Sequence, residues 1–147
     1  MKNSNTSDSN FISVVGYGIF ITQNLWKDKA NVEVCLVKKF TRIYPQSSWF
    51  PYALRSNGSF KALKFDVNKQ ELELLDLIEG VKNGLFERVT TEIYLKNNRR
   101  SSAFIYIPTA KTITTQNLSL KLDKRDRWKE ELKKIPEIVR NFPDLFT

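Results

Sequence analysis

The chain has 147 residues, 41% hydrophobic and 12% aromatic, enough for one globular domain with a core of its own. Lys and Arg outnumber Asp and Glu by 24 to 16 for a net charge of +8, yet the densest basic stretch, Lys121–Lys134, is interleaved with Asp123, Asp126, Glu130 and Glu131; such mixing reads as a solvated, ion-paired helix face and argues against a nucleic-acid partner. Histidine is absent and Cys35 is the sole cysteine, which excludes Ser-His and Cys-His nucleophilic dyads, histidine or multi-cysteine metal sites and an internal disulfide.

Residues 1–10 are polar throughout and lack the apolar stretch of a secretory signal, so they are expected to form a disordered leader to a single domain over 11–147. No apolar run approaches the roughly 18 residues of a membrane span, and a cytoplasmic protein with no membrane partner is expected. Phe11–Gly16 reads as a short strand that ends in the turn Gly16-Tyr17-Gly18. Two glycines around a tyrosine permit close approach of a ligand to main-chain amides. The dinucleotide fingerprint would need a third glycine where Ile21 stands.

Val32–Val37 reads as a strand holding Cys35 as a buried structural thiol, with a second extended piece through Phe40 and Ile43. Pro45–Ser48 is a turn, and Trp49–Leu54 an aromatic cluster around Pro51. Arg55–Ser59 is expected to be a loop on its Asn57-Gly58 signal, and Phe60–Val67 a strand. Asn68 and Glu71 have the spacing of a capping box opening a helix whose apolar face is Leu72, Leu75, Leu77 and Ile78. Gly80 stops that helix and Gly84 marks a second bend. Leu85–Leu95 and Ser102–Ile107 read as strands joined by the polar turn Lys96–Arg100. Pro108–Leu120 is a threonine-rich connection. A last helix begins at Asp123, presents Trp128, Leu132 and Ile135 on one side, and is interrupted and restarted at Pro136. Strands, helix, strands, helix, with mostly hairpin-linked strands, imply an α+β domain around a compact mixed or barrel-like sheet.

Glu79 stands apart in this pattern. It follows an apolar-periodic helix and precedes a glycine, where a helix ends and a side chain can project into a cleft. Such a residue is either a solvated helix-end acid or a carboxylate kept for chemistry.

Four segments in this order resemble the gamma-glutamylcyclotransferase superfamily, the AIG2-like group. They are Val14-Val15-Gly16-Tyr17-Gly18-Ile19-Phe20, then Pro51–Leu54 with Ala62–Val67, then Leu75-Asp76-Leu77-Ile78-Glu79-Gly80 continuing through Gly84 to Arg88, and Ala103-Phe104-Ile105-Tyr106-Ile107. The third is the most specific, and the likeness spans about residues 11–108. The resemblance implies a small mixed barrel flanked by helices. It also implies a reaction without metal or cofactor, in which a gamma-glutamyl amide cyclises to 5-oxoproline and releases an amine or amino acid. Glu79 falls on the family's catalytic carboxylate, and Tyr17, Gly18, Ile19 and Phe20 fall on the loop whose amides meet substrate.

The chemistry suits the residue types. The substrate's α-ammonium must lose a proton before its nitrogen attacks its own γ-carbonyl, and a carboxylate can take that proton and return one to the leaving amine. An unperturbed Glu titrates at roughly 4.3, so the role favours partial burial; Leu77, Ile78 and Val81 are the expected apolar neighbours. Loop amides would meet the developing oxyanion. Tyr17 and Tyr106 stand between core packing and pocket lining, and both are substrate-binding candidates; Asp76 is read as a structural hydrogen-bonding residue. Ile19 replaces the family's small hydroxyl residue, Ala62-Leu63 its Gly-Glu pair and Phe86 its usual tyrosine. Two other readings follow: a non-catalytic member that binds a metabolite or protein partner through the same cleft, and a basic module contacting nucleic acid through Arg99, Arg100 and the C-terminal helix.

Overall fold

The structure, a computed structural model, describes residues 11–45, 48, 50–118 and 125–147. The expectations for the leader, for Trp49 and for a helix start at Asp123 fall outside these residues. Five strands close into a barrel: β1 (Ile12–Gly16), β2 (Ala30–Ile43), β3 (Tyr52–Val67), β4 (Phe86–Tyr94) and β5 (Arg100–Pro108), in the spatial order β1-β3-β2-β4-β5. Four contacts are antiparallel, and the fifth, between Val14 and Phe104, is parallel and closes the ring. The architecture is the expected α+β class, a mixed barrel-like sheet flanked by helices.

Period-two burial explains the barrel. Val15, Cys35, Val37, Ala53, Phe60, Ala62, Ile93, Ala103, Ile105 and Ile107 form one buried cluster with Phe40. In a barrel of five strands, the alanines leave room for the rings of Phe40 and Phe60. Burial pushes the Cys35 thiol up to about 12, so it stays protonated and inert. The outward-facing residues are covered from two sides. Helix α2 (Lys69–Ile78) lays Leu72 over Val14, Phe65, Val67 and Tyr106. Opposite, α4 (Arg127–Leu132) and α5 (Pro136–Asn141) bring Trp128, Leu132 and Ile138 onto Leu63 and Ile21, the latter from α1 (Ile19–Thr22). Pro136 restarts a helix at its first turn, where the missing N–H costs little.

Several expectations are corrected. Arg55–Ser59 lies inside β3, not in a loop: Lys38 pairs with Ser59 and Phe40 with Arg55, so the Ser56-Asn57-Gly58 segment is accommodated as a bulge opposite Lys39. Lys39 takes φ +70 there, and β2 runs through as one strand where two pieces were expected. A turn dipeptide and a bulge demand similar backbone freedom, which is why the sequence signal misleads. Within the threonine-rich connection, Thr109 accepts from the Thr112 amide and caps α3 (Ala110–Thr115). Finally, Leu77 and Ile78 are 68% and 78% exposed, so the buried face of α2 is Leu72 and Leu75 alone.

Candidate functional site

The helix that carries Glu79 begins and ends on specific contacts. Asn68 accepts from the Glu71 amide at 2.8 Å while its own amide donates to Glu71 at 3.0 Å, the reciprocal box expected from sequence. At the far end, the Val81 amide reaches the Asp76 carbonyl and the Gly80 amide the Leu77 carbonyl, with Gly80 at φ +70. This Schellman pattern makes Glu79 the last residue before the chain turns away. The turn is then braced: Thr109 Oγ1 donates to the Gly84 carbonyl at 2.6 Å and Thr112 Oγ1 to the Leu85 carbonyl at 2.5 Å.

One turn before Glu79, Asp76 ties α2 to the barrel. It accepts from Arg88 Nη1 at 2.8 and 3.0 Å and from the Tyr106 hydroxyl at 2.6 Å, while the Arg88 guanidinium lies 4.6 Å over the Phe104 ring. Asp76 is thus fully engaged in structural bonds. The Tyr106 side chain is 5% exposed among Val14, Phe65, Val67 and Leu72, and its hydroxyl faces Asp76. Burial, then the Asp76 hydrogen bond, holds the Tyr106 phenol above the usual phenol range.

The second half of the site is the segment after β1. Tyr17 donates through its hydroxyl to the Tyr106 carbonyl at 2.9 Å and packs edge-on to Phe60 at 6.0 Å. It therefore meets the Tyr106 main chain, not its ring. Burial foremost, and then the negative charge of Glu79, pushes the Tyr17 phenol well above its ordinary range; Tyr52 acts in the same direction and Arg42 opposes them. Tyr17 thus lies within electrostatic reach of both Glu79 and Arg42. Glu79 is partly buried, with no hydrogen bond or ion pair from any described residue, and desolvation raises its carboxyl above the ordinary range. Its position at a helix C-terminus, where the dipole is negative, acts the same way. Leu77 and Ile78 do not supply that burial; both point to solvent, and of the three expected neighbours only Val81 packs inward.

Phe20 turns into the core. Its ring stacks on Phe65 at 4.1 Å and covers Gly16, where an added Cβ would lie 2.3 Å from it. Gly18 is closed over by Pro51, 2.9 Å from a built Cβ. Among the described residues nothing accepts from the Gly18, Ile19 or Phe20 amides, while the Gly18 carbonyl receives Ile21 at 2.9 Å. An open depression of about 280 Å3 lined by Glu73, Asp76, Leu77, Val81 and Lys82 lies against α2, and Glu79 does not line it. No group of three or more acidic or thiol side chains converges as a metal ion would need among the described residues. The basic residues singled out for nucleic acid are paired, Arg99 with Glu33 and Arg100 with Glu92.

Sequence reasoning did not reach Arg42 or Asp126 as parts of this neighbourhood, and met Pro51 only as part of an aromatic cluster and of a segment resembling the family. An arginine late in a strand and an aspartate in a charged helix carry no such signal.

The family described as gamma-glutamyl cyclotransferase, AIG2-like, matches residues 17–130, a span that includes Tyr17, Arg42, Glu79 and Asp126. In fold the chain is similar to an Arabidopsis thaliana protein solved in solution, at 22% identity and TM-score 0.62 over 90% of this chain and 88% of that one. It is also similar to a gamma-glutamyl cyclotransferase, at 14% and 0.57 over 84% and 99%. A yeast gamma-glutamyl cyclotransferase specific to glutathione aligns at 10% and 0.57 over 91% and 89%. At these identities the likeness shows the fold. No curated protein matches the chain in sequence.

Proposed function

The chain belongs to the AIG2-like gamma-glutamyl cyclotransferase family, and from that premise we propose that it cyclises a gamma-glutamyl amide to 5-oxoproline with Glu79 as general acid and base. The observation that supports this is the state of Glu79: a partly buried carboxylate with a raised pKa, no partner among the described residues, and a place beside the Tyr17 segment. A carboxylate left unpaired in a desolvated setting costs stability, so the chain retains it against the energetics of folding.

The reaction needs little else. Glu79 accepts a proton from the substrate's α-ammonium, and the freed nitrogen attacks the γ-carbonyl carbon. The tetrahedral oxyanion is met by the amides of Gly18, Ile19 and Phe20. The nitrogen sheds a second proton as the C–N bond to the leaving amine breaks, and the amine departs with the proton from Glu79 and the one shed, leaving Glu79 ionised again. Attacker and target share one molecule, so holding the substrate bent supplies much of the acceleration. Tyr106 contributes through its carbonyl, which fixes the Tyr17 ring; Phe20 is diverted to the core, so Ile19 is the residue whose side chain distinguishes this loop. We place the protein in the cytoplasm, acting on a small molecule without a cofactor.

The test is 5-oxoproline release from a panel of gamma-glutamyl amines, amino acids and peptides, with wild type beside Glu79→Gln. Release that falls by a factor of roughly 1,000 or more in the variant, with its melting temperature retained or raised, supports the assignment. No release by wild type from any compound favours instead a binding protein built on the same cleft.

A further inference from the structure

Arg42 is the least exposed charged side chain in an ion pair of the described structure, at 2%, and it lies beneath the Tyr17 segment. Each of its three nitrogens donates a hydrogen bond. Nε and Nη2 donate to the two oxygens of Asp126, at 3.2 and 2.6 Å, and Nη1 donates to the Tyr17 carbonyl at 2.8 Å. The plane also lies over the Phe60 ring at 5.0 Å, the same ring that Tyr17 meets edge-on. Asp126 is in turn the cap of α4, accepting from the Lys129 amide at 3.2 Å. A C-terminal helix is therefore wired through one arginine to one peptide unit, Tyr17–Gly18.

That peptide unit matters because it is planar and trans, so its carbonyl and its N–H point in opposite directions. Fixing the Tyr17 carbonyl on Arg42 fixes the Gly18 N–H on the side away from Arg42. We propose that Arg42, clamped by Asp126, is a positioning residue that sets the orientation of the Gly18 amide as an oxyanion donor. The idea rests on the cyclotransferase reading for what the amide does, though not for the geometry itself. A preorganised donor is effective only if it does not reorient during the reaction, and a buried forked guanidinium held at both ends supplies that rigidity. Lysine cannot replace it: an ammonium is a point donor without the planar fork that spans a carboxylate and a carbonyl together.

The experiment compares wild type, Arg42→Lys and Asp126→Asn. Asparagine caps a helix as well as aspartate does, so Asp126→Asn keeps the α4 cap while removing the charge that clamps Arg42. The expected result is a fall in kcat/KM on the order of 100-fold in both variants, counted per folded molecule and shared between kcat and KM. The acidic limb of the pH profile, which belongs to Glu79, stays where it is. A purely structural role would lower kcat in proportion to the folded fraction and leave KM unchanged, and that result overturns the proposal. A second readout is the Gly18 amide resonance by NMR, expected to move or broaden in both variants; an unmoved resonance also overturns it. If wild type releases no 5-oxoproline, the cyclotransferase reading fails by itself, and the Gly18 resonance still decides whether Arg42 sets this peptide.

Discussion

The two flanks of the site are each held by an arginine–aspartate pair, and the pairs are built differently. On the base side, Asp76 and Arg88 are 12 residues apart and their side chains are 27% and 28% exposed. On the loop side, Arg42 and Asp126 are 84 residues apart, with the guanidinium 2% and the carboxylate 26% exposed. The base side is a contiguous unit of helix, turn and strand, which can assemble from local contacts. The loop side exists only once the C-terminal helices have docked on the barrel. Partly exposed pairs contribute about 0–1 kcal/mol, whereas stripping one partner from a buried pair costs about 3–5 kcal/mol. The loop side should therefore be the stiffer and more cooperative half, and the base side the more tolerant.

The hardest test of that contrast is Leu132→Ala. Leu132 is 1% exposed and anchors the helix that carries Asp126 to Leu63 and Ile21. Removing it should cost about 2–5 kcal/mol in denaturant unfolding, with Gly18 amide exchange accelerating in the same variant. A loss below about 1 kcal/mol would mean that the C-terminal helices do not brace the barrel, and the contrast between the flanks would collapse.

The same contrast explains what could be read from the chain. Asp76, Glu79, Gly80 and Arg88 lie within one short stretch, and each leaves a local trace: a helical period, a glycine stop, an alternating strand. The capping box at Asn68 and Glu71 and the restart at Pro136 are legible for the same reason, since caps are set by neighbours in sequence. Arg42 is not legible. Its partners are 25 and 84 residues away, and nothing in a strand of mixed polarity marks one arginine as buried. The Asn57-Gly58 pair misleads because the freedom that makes a turn also makes a bulge. Leu77 and Ile78 continue the apolar run yet face solvent, because at 3.6 residues per turn they lie about 140° and 120° around the helix from Leu72. Phe20 looks like an obstruction until Phe65 is seen to receive it.

Gly80→Ala probes the base side at smaller amplitude. Gly80 sits at φ +70 and an added Cβ would meet Leu85 Cδ1 at 2.8 Å, while Gly84, at φ +74, has open space around it. Left-handed backbone costs a non-glycine residue roughly 1–2 kcal/mol. Both alanine variants should show about that loss, and Gly80→Ala more, because Leu85 must also move. Gly80→Ala should lower turnover as well, since it displaces the residue before it; Gly84→Ala should not. Equal losses in stability and in turnover would show that the Schellman turn does not set where Glu79 lies.

The gentlest test changes no packing and asks only where Glu79 titrates. Partial burial holds its folded carboxyl above the ordinary range, with no opposing partner among the described residues. Between the unfolded and folded pKa values the folded state therefore binds more protons, so stability falls as pH rises through that window and the full cost remains at neutral pH. Glu79→Gln removes the cost. The variant should be more stable than wild type at neutral pH, with the advantage shrinking as pH is lowered through the folded pKa and vanishing below the unfolded one. If Glu79 is the proposed base, turnover follows the opposite course, because a base acts when ionised: wild-type kcat/KM should fall on acidification, with a midpoint above the ordinary glutamate range. Melting curves and initial rates over the same pH series check both at once. If Glu79→Gln were instead less stable than wild type at neutral pH, with the deficit shrinking toward low pH, Glu79 would be a carboxylate stabilised by a cation, and the proposal of an unpaired base would be lost.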